Sequence, residues 1–312
     1  TETENKYLCC IILDIIKLKN THLLCTGMTS YDLTTGQGYV YETVSKIDDK
    51  MYCLDDTIRF LENYPPSEII FDISNSLLSY LTDHNKYENM TIDDIKLYLG
   101  INNINMYKTN NMDILIKTQY QTEFLNKVFK HYSKINIIDD IGLSYYNNAV
   151  LSLVILLDFA KNHQSLLLTK LKKPKLFINN MFLGNKALDQ LDILNKPKCL
   201  FNIINYTKTP MGKRFLKDTI SNPLYQTDII NERYELIDMA IKNNLHKNNY
   251  FENIYDLTKL SRKMNLNNIH PYELYYIYIS LITINKNLLE LKQYPNFSKL
   301  FNIKNKKKIK QI

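Results

Sequence analysis

The spacing of apolar residues changes near residue 145. Before it, short apolar runs alternate with amphipathic stretches. Tyr7–Leu13 is a short apolar run, which suits a buried strand. Thr29–Leu33 and Tyr39–Val44 flank the turn residues Thr34-Thr35-Gly36. In the second arm Tyr39, Tyr41 and Thr43 alternate with Gly38, Val40 and Glu42, so a hairpin is predicted. Asp55–Glu62 reads as a helix broken by Pro65-Pro66, and Glu68–Asp72 as the next strand. Further helices are predicted over 75–83 and 112–130. Strands and helices that alternate at this spacing predict a sheet covered by helices.

After residue 145 the period becomes helical. Val150, Leu153, Val154 and Leu157 mark a helix whose other positions are also apolar, so burial is expected. Thr227 and Asp228 are good starting residues for a helix in which Ile230, Tyr234, Ile237 and Ile241 recur at helical spacing. Another helix begins at Pro271 and runs through Leu274, Ile277 and Leu281. The expectation is an α/β domain over residues 1–144 and an all-α domain over 145–312, with no internal repeat. No apolar run approaches the ~20 residues needed to cross a bilayer. The longest candidate, Ala149–Leu157, is interrupted by Ser152.

Charge sharpens this division. The 312 residues carry a net charge of +7. Residues 1–150 hold 13 Lys or Arg against 20 Asp or Glu, and residues 151–312 hold 26 against 12. The basic half is the candidate for facing a polyanion. Five of its lysines lie in the last twelve residues, and Lys306, Lys307 and Lys308 are candidate non-specific DNA contacts. Asn, Ile, Lys and Tyr are abundant and share AT-rich codons, so a lysine here carries little information. The four arginines carry more. The five cysteines are odd in number and form no CxxC, which argues against a disulfide framework or a zinc site and for a reducing compartment. The chain starts at Thr1, without Met or a signal peptide, so a partial or processed piece is expected.

The motif search excludes several chemistries. None of the seven glycines fits GxxxxGK[ST] or GxGxxG, and Gly36-Gln37-Gly38 lies in the predicted hairpin turn. No histidine stands at metal-ligand spacing, and no GxSxG occurs. No catalytic, cofactor or metal residue is assigned. One alternative is a Mg²⁺-dependent nuclease of ribonuclease H-like fold, in which Asp14, Asp32 and Asp72 converge at strand ends to hold metal. The competing reading makes them ordinary strand-end acids. A second alternative is a stand-alone helical nucleic-acid-binding scaffold. Tyr272, Tyr275, Tyr276 and Tyr278 crowd one helix with no Lys or Arg among them, so core packing is expected rather than base stacking.

The most specific string is Lys208-Thr209-Pro210-Met211-Gly212-Lys213-Arg214-Phe215-Leu216, followed by Pro223-Leu224 and Ile230-Asn231-Glu232-Arg233. It resembles the core (lever) domain of the MutS family of DNA mismatch-repair proteins, with its T-x-M-G-x-R-x-L, P-L and I-x-x-R. Leu183 with Ala187 and Gln190-Leu191-Asp192-Ile193 resembles that family's L-D-x-x-T-x-x-N-L-E-L. Asp256-Leu257-x-x-Leu260-x-Arg262 and Pro271-x-x-Leu274 resemble its next helix pair. Tyr31-Asp32-Leu33-Thr34-Thr35-Gly36 and Pro65-x-Ser67-Glu68-Ile69-Ile70 resemble its connector domain. Ala187, Gln190 and Thr219 depart from the usual residues. The spelling resembles the branch found in large DNA viruses and some mitochondria. The family's mismatch-reading wedge is Phe-x-Glu, but Phe60-Leu61-Glu62 sits on a predicted amphipathic helix and reads as core plus surface.

The resemblance implies a ribonuclease H-like connector followed by a helical lever domain, without the mismatch-reading, clamp and ATPase parts. Such a piece would be non-catalytic and would couple ATP state to DNA binding. ATP and Mg would belong to the ATPase domain of the parent protein. DNA, a second copy of the parent and a MutL-like protein at the connector would be the partners, with no membrane. Thr209, Gly212, Arg214, Pro223 and Arg233 are the motif's structural residues. Gly212 is expected to let two helices approach, and Arg214 to make a partly buried bidentate contact.

Overall fold

The structure, a computed structural model, describes residues 5–18, 21–84, 87–109, 111–130, 136–177, 181, 183, 187–194, 196–245 and 249–294. In chain order the elements begin with β1 (Tyr7–Leu18), β2 (Thr21–Asp32), β3 (Gln37–Val44), α1 (Tyr52–Asn63), β4 (Pro66–Ile73), α2 (Asn75–His84), α3 (Ile92–Leu99) and β5 (Asn105–Tyr107). Next come α4 (Met112–Leu115), α5 (Thr118–Val128), α6 (Ile137–Ile141), α7 (Asn147–His163), a 3-10 helix (Ser165–Leu168) and β6 (Lys175–Leu176). The rest is α8 (Ala187–Gln190), α9 (Leu200–Ile204), α10 (Pro210–Ser221), α11 (Thr227–Lys242), α12 (Leu257–Asn265) and α13 (Pro271–Leu291).

The six strands form one sheet in the order β5-β4-β1-β2-β3-β6. β1 and β3 pair antiparallel with β2, whereas β4 lies parallel to β1, β5 to β4 and β6 to β3. The apolar run of β1 has a direct cause, because each face of the strand enters its own core. Leu8, Cys10 and Ile12 join Phe124 and Leu125 of α5, Ile138 of α6 and the apolar α7. Tyr7, Cys9, Ile11 and Leu13 join Leu54 and Phe60 of α1, Leu77 of α2 and Ile95 of α3. The all-apolar strand reading therefore follows from cover on both sides. Phe60 is fully buried, in line with the core reading of Phe60-Leu61-Glu62. A further hairpin, which the pattern does not suggest, precedes the predicted one. β1 continues through Asp14 to Leu18, and β2 starts at Thr21, because Leu18 pairs with Thr21 and the ladder runs unbroken back to Tyr7 opposite Asp32.

Two features differ from a sheet ending before residue 145. α7, expected to open the helical domain, packs on β2 and β1, and Thr29 and Ser152 join through their hydroxyls at 2.7 Å. Gly27 permits this approach: a Cβ there would lie 2.1 Å from the carbonyl oxygen of Asn148. β6, at residues 175–176, then adds a strand beside Tyr39 and Val40. From residue 196 onward, no strand element occurs among the described residues. The helices there enclose only a small cluster of Leu188, Leu194, Cys199 and Phe201. α11 has no buried residue. Tyr272, Tyr275 and Tyr278 of α13 are about 60% exposed, at 58%, 60% and 60%, which corrects the expectation that they pack in a core. Their helix packs on α12, and its Leu274, Leu281, Ile282 and Leu289 are exposed as well.

Candidate functional site at the sheet–helix junction

Helices α10 to α13 share little packed surface with the sheet, so polar side chains define the junction. α10 begins with Thr209, whose hydroxyl accepts the Gly212 amide at 3.0 Å, and Pro210 occupies the first turn. This cap fixes the helix start and aims Arg214 across to α12. Arg214 donates from Nη1 to Asp256 Oδ2 at 2.6 Å and from Nη2 to Asp256 Oδ1 at 2.8 Å and Thr258 Oγ1 at 2.6 Å. Both charged side chains are 15% exposed. Asp256 also caps α12 by accepting the Lys259 amide at 3.2 Å. Burial alone would raise the Asp256 carboxyl, but the hydrogen bonds from Arg214 and Thr258 outweigh it and hold the group below its ordinary value.

One turn into α12, Arg262 points the other way. It is 3% exposed and reaches the sheet unit. Its Nε donates to the Leu33 carbonyl in the β2–β3 turn at 3.3 Å, while Nη1 and Nη2 donate to the carbonyls of Thr169 and Leu167. Gly36 closes that turn with φ of +68°, and a Cβ there would press on the Arg262 side chain at 3.3 Å. The Asp32 carboxylate braces the turn from within by accepting the Thr34 amide and the Thr34 and Thr35 hydroxyls. A cleft of about 780 Å³ lies alongside, with Tyr7, Tyr39 and Tyr64 on the sheet side and Phe201, Arg214 and Asp218 on the helical side. Burial pushes all three tyrosine hydroxyls up, so they stay protonated at neutral pH.

A family model, MutS domain III, matches residues 186–311, the stretch that holds Arg214, Asp256 and Arg262. A DNA mismatch-repair MutS homologue of Acanthamoeba polyphaga mimivirus is 30% identical over 260 residues, covering 73% of this chain and 22% of its own. The chain belongs to the MutS family. A mitochondrial mismatch-repair MutS homologue of Sarcophyton glaucum is 32% identical over 145 residues, covering 43% of this chain and 15% of its own. The MutS protein of Caldanaerobacter subterraneus is 28% identical over 252 residues, covering 78% of this chain and 25% of its own. The chain therefore spans a quarter or less of the length of these MutS relatives.

Within this MutS segment the motif residues have distinct roles. Thr209 is a helix cap and Arg214 an ion-pair fork. Pro223 lies after α10 and its carbonyl accepts the Met181 amide at 2.8 Å. Arg233 is half-buried on α11 and is not drawn into the junction. Gly212 does not sit where two helices meet. A Cβ there would lie 3.0 Å from the capping hydroxyl of Thr209 and 3.5 Å from Thr207, so the local cap, not a helix crossing, limits the side chain. Thr227 is the first residue of α11 and Gln226 precedes it as the cap, without a side-chain bond. Lys306, Lys307 and Lys308 lie outside the described residues.

The three acids of the nuclease alternative do not converge. Asp32 stands opposite Tyr7 on β1, seven positions from Asp14, a separation of roughly 23 Å along the strand. Asp14 is held by Ser74 and Asn148, and Asp72 by the Thr109 amide. Among the described residues no group of three His, Cys, Asp or Glu side chains could hold a metal ion, and all five cysteines are free and buried. No described helix is long and apolar enough to cross a membrane. In the family resemblance Asp256 and Arg262 are motif letters without a role. The signal that could have found Arg262 was its rarity, as one of four arginines.

Proposed function

We propose that this chain is the connector and lever portion of a MutS-like mismatch-recognition ATPase, and that it transmits ATP state to the DNA-binding parts without catalysing a reaction itself. The observation that carries this reading is the grip of Arg262 on three carbonyls of the sheet unit, which ties α12 to the β2–β3 turn and to the segment after α7. A rigid tie between two units that share little other packing suits transmission of a rigid-body movement. The strand order, with β1–β3 antiparallel and β4 and β5 parallel to β1, supports a ribonuclease H-like connector. By the same reading ATP and Mg²⁺ bind in an ATPase domain, the working form is a homodimer on DNA, and the connector is where a MutL-like partner docks.

The test uses the full protein that carries this segment. Arg262→Gln should leave mismatched-duplex affinity without nucleotide within about twofold, and should slow ATP-induced release from the mismatch about tenfold, the effect of a coupling loss of about 1.4 kcal/mol. If release and ATP turnover both match the unmodified protein, the transmission role is wrong.

A further inference from the structure

A second cleft, of about 610 Å³, opens where α12 meets the sheet unit, a size within the range of ligand sites. Thr35, Lys170, Lys172, Ser261, Arg262 and Asn265 line it. Three of these are cations and none is an acid. Among the described residues neither Lys170 nor Lys172 makes an ion pair. Arg262 offers five N–H donors, and its three carbonyl bonds occupy only three of them. Those partners are neutral, so its charge is not cancelled by contact.

The nearby acids offset only part of this charge. Asp256 is paired with Arg214, and Asp32, which accepts from the neutral groups of Thr34 and Thr35, keeps a charge that offsets one of the three cations. Positive charge is therefore in surplus, and the Lys172 ammonium responds to it. Partial burial, and then Lys175, Arg214 and Arg262, push its pKa down. Lys170 is held at φ of +49°, a left-handed backbone that a lysine rarely adopts and that persists only where its surroundings impose it.

We infer that this cleft is an oxyanion site that takes one phosphate group. Lys170 and Lys172 supply charge from the loop, the free N–H groups of Arg262 supply planar donors, and Ser261 and Asn265 complete the set from α12. Donors that converge from a loop and a helix suit a tetrahedral oxyanion with acceptors on every side. The phosphate can come from a free phosphoryl compound or from a nucleic-acid backbone, and the chemistry of capture is the same. The inference stands on the cleft alone and does not need the lever reading.

The experiment is calorimetric titration of the 312-residue chain with pyrophosphate and, separately, with a short DNA duplex. Both lysines are exposed, so Lys170→Gln/Lys172→Gln should melt like the unmodified chain when no ligand is present. The double variant should bind roughly three- to tenfold more weakly, the loss expected for two exposed ion pairs, and Lys172→Arg should retain binding. A loss confined to pyrophosphate identifies a free phosphoryl ligand. A loss confined to the duplex, with a salt slope reduced by about two, identifies the backbone. If neither probe saturates at about 10 mM, or if the double variant binds both probes like the unmodified chain, the site does not exist.

Discussion

Replacing Arg214 by Lys keeps the positive charge and removes the fork. The guanidinium makes three hydrogen bonds across the gap to α12, two to Asp256 and one to Thr258, at 2.6–2.8 Å. A single ammonium on a flexible stem can hold one carboxylate oxygen in that geometry, so about two charge-assisted bonds are lost. Such bonds contribute ~1.5–3 kcal/mol each when well formed. The retained charge and the entry of water at a site 15% exposed offset much of this. The expected loss is about 1–2 kcal/mol, a fall in Tm of roughly 1.5–3 °C for a chain of this size. Arg214→Met should cost more, about 2–3 kcal/mol, because Asp256 is left without a cation although Thr258 and the Lys259 amide still hold it. Scanning calorimetry of Arg214→Lys, Arg214→Met, Asp256→Asn and the Arg214→Met/Asp256→Asn double variant gives the pairwise coupling. A coupling below about 0.5 kcal/mol, with Arg214→Lys melting within about 1 °C of the unmodified chain, would refute the structural role of the fork.

The remaining predictions test separate parts of the fold. Asp256 is depressed in the folded chain relative to its unfolded value near 3.9, so the ion pair stabilises fully above that pH and less as pH falls through the folded value. The stability gap between the unmodified chain and Arg214→Met should therefore be widest at neutral pH and shrink below about pH 4, as measured by urea unfolding across pH. Gly27→Ala should cost about 3 kcal/mol, because its Cβ meets the backbone of Asn148 and α7 must move; a loss under about 1 kcal/mol would mean that α7 sits farther from β2 than described. Gly212→Ala should change stability by less than about 1 kcal/mol, since the gain in helix propensity opposes pressure on the Thr209 cap. DNA binding by the chain should be weak, indifferent to a mismatch and steeply salt-dependent, and removal of residues 301–312 should weaken it; a several-fold preference for mismatched duplex in a gel-shift assay contradicts this.

What could be read from sequence followed local physics. β1 was visible because both of its faces are buried, and the hairpin because Thr34-Thr35-Gly36 has the turn chemistry that φ of +68° at Gly36 requires. The Arg214 contact was expected as a bidentate one, but its partner lies 42 residues away, and no local pattern names Asp256. The pattern of α7 predicts burial but does not name its neighbours, β1 and β2. Its apolar surface has no direction in sequence, and the residue that docks it, Gly27, is silent until the strand and helix are placed. The tyrosines of α13 failed for the opposite reason. An apolar stripe predicts burial only if something in the same chain covers it, and here nothing described does. The family motif suggests a tertiary reason for Gly212, but the Thr209 cap is a sufficient local one.

The choice of arginine over lysine at the junction is itself informative. Lysine saturates this chain, yet Arg59, Arg214 and Arg262 occupy the buried polar positions. Arg59 pairs with Asp56 one turn before it on α1 and lies 4.7 Å from the Phe177 ring centre. Arg214 meets a two-oxygen carboxylate, and Arg262 meets three carbonyls from two separate loops. A lysine ammonium has three donors on one atom and cannot span acceptors held that far apart, and its stronger hydration makes burial costlier. The two junction arginines also meet at one short helix: Asp256 caps its start and holds Arg214 of α10, and Arg262 leaves its middle for the sheet. α12 is therefore fixed to both units at points less than two turns apart. Arg214 and Arg262 give α10 a side-chain route to the β2–β3 turn through that helix, with little packed surface between the sheet and α10 to α13. In the proposed lever role this makes α12, rather than the longer α11 or α13, the element whose loosening separates the two units.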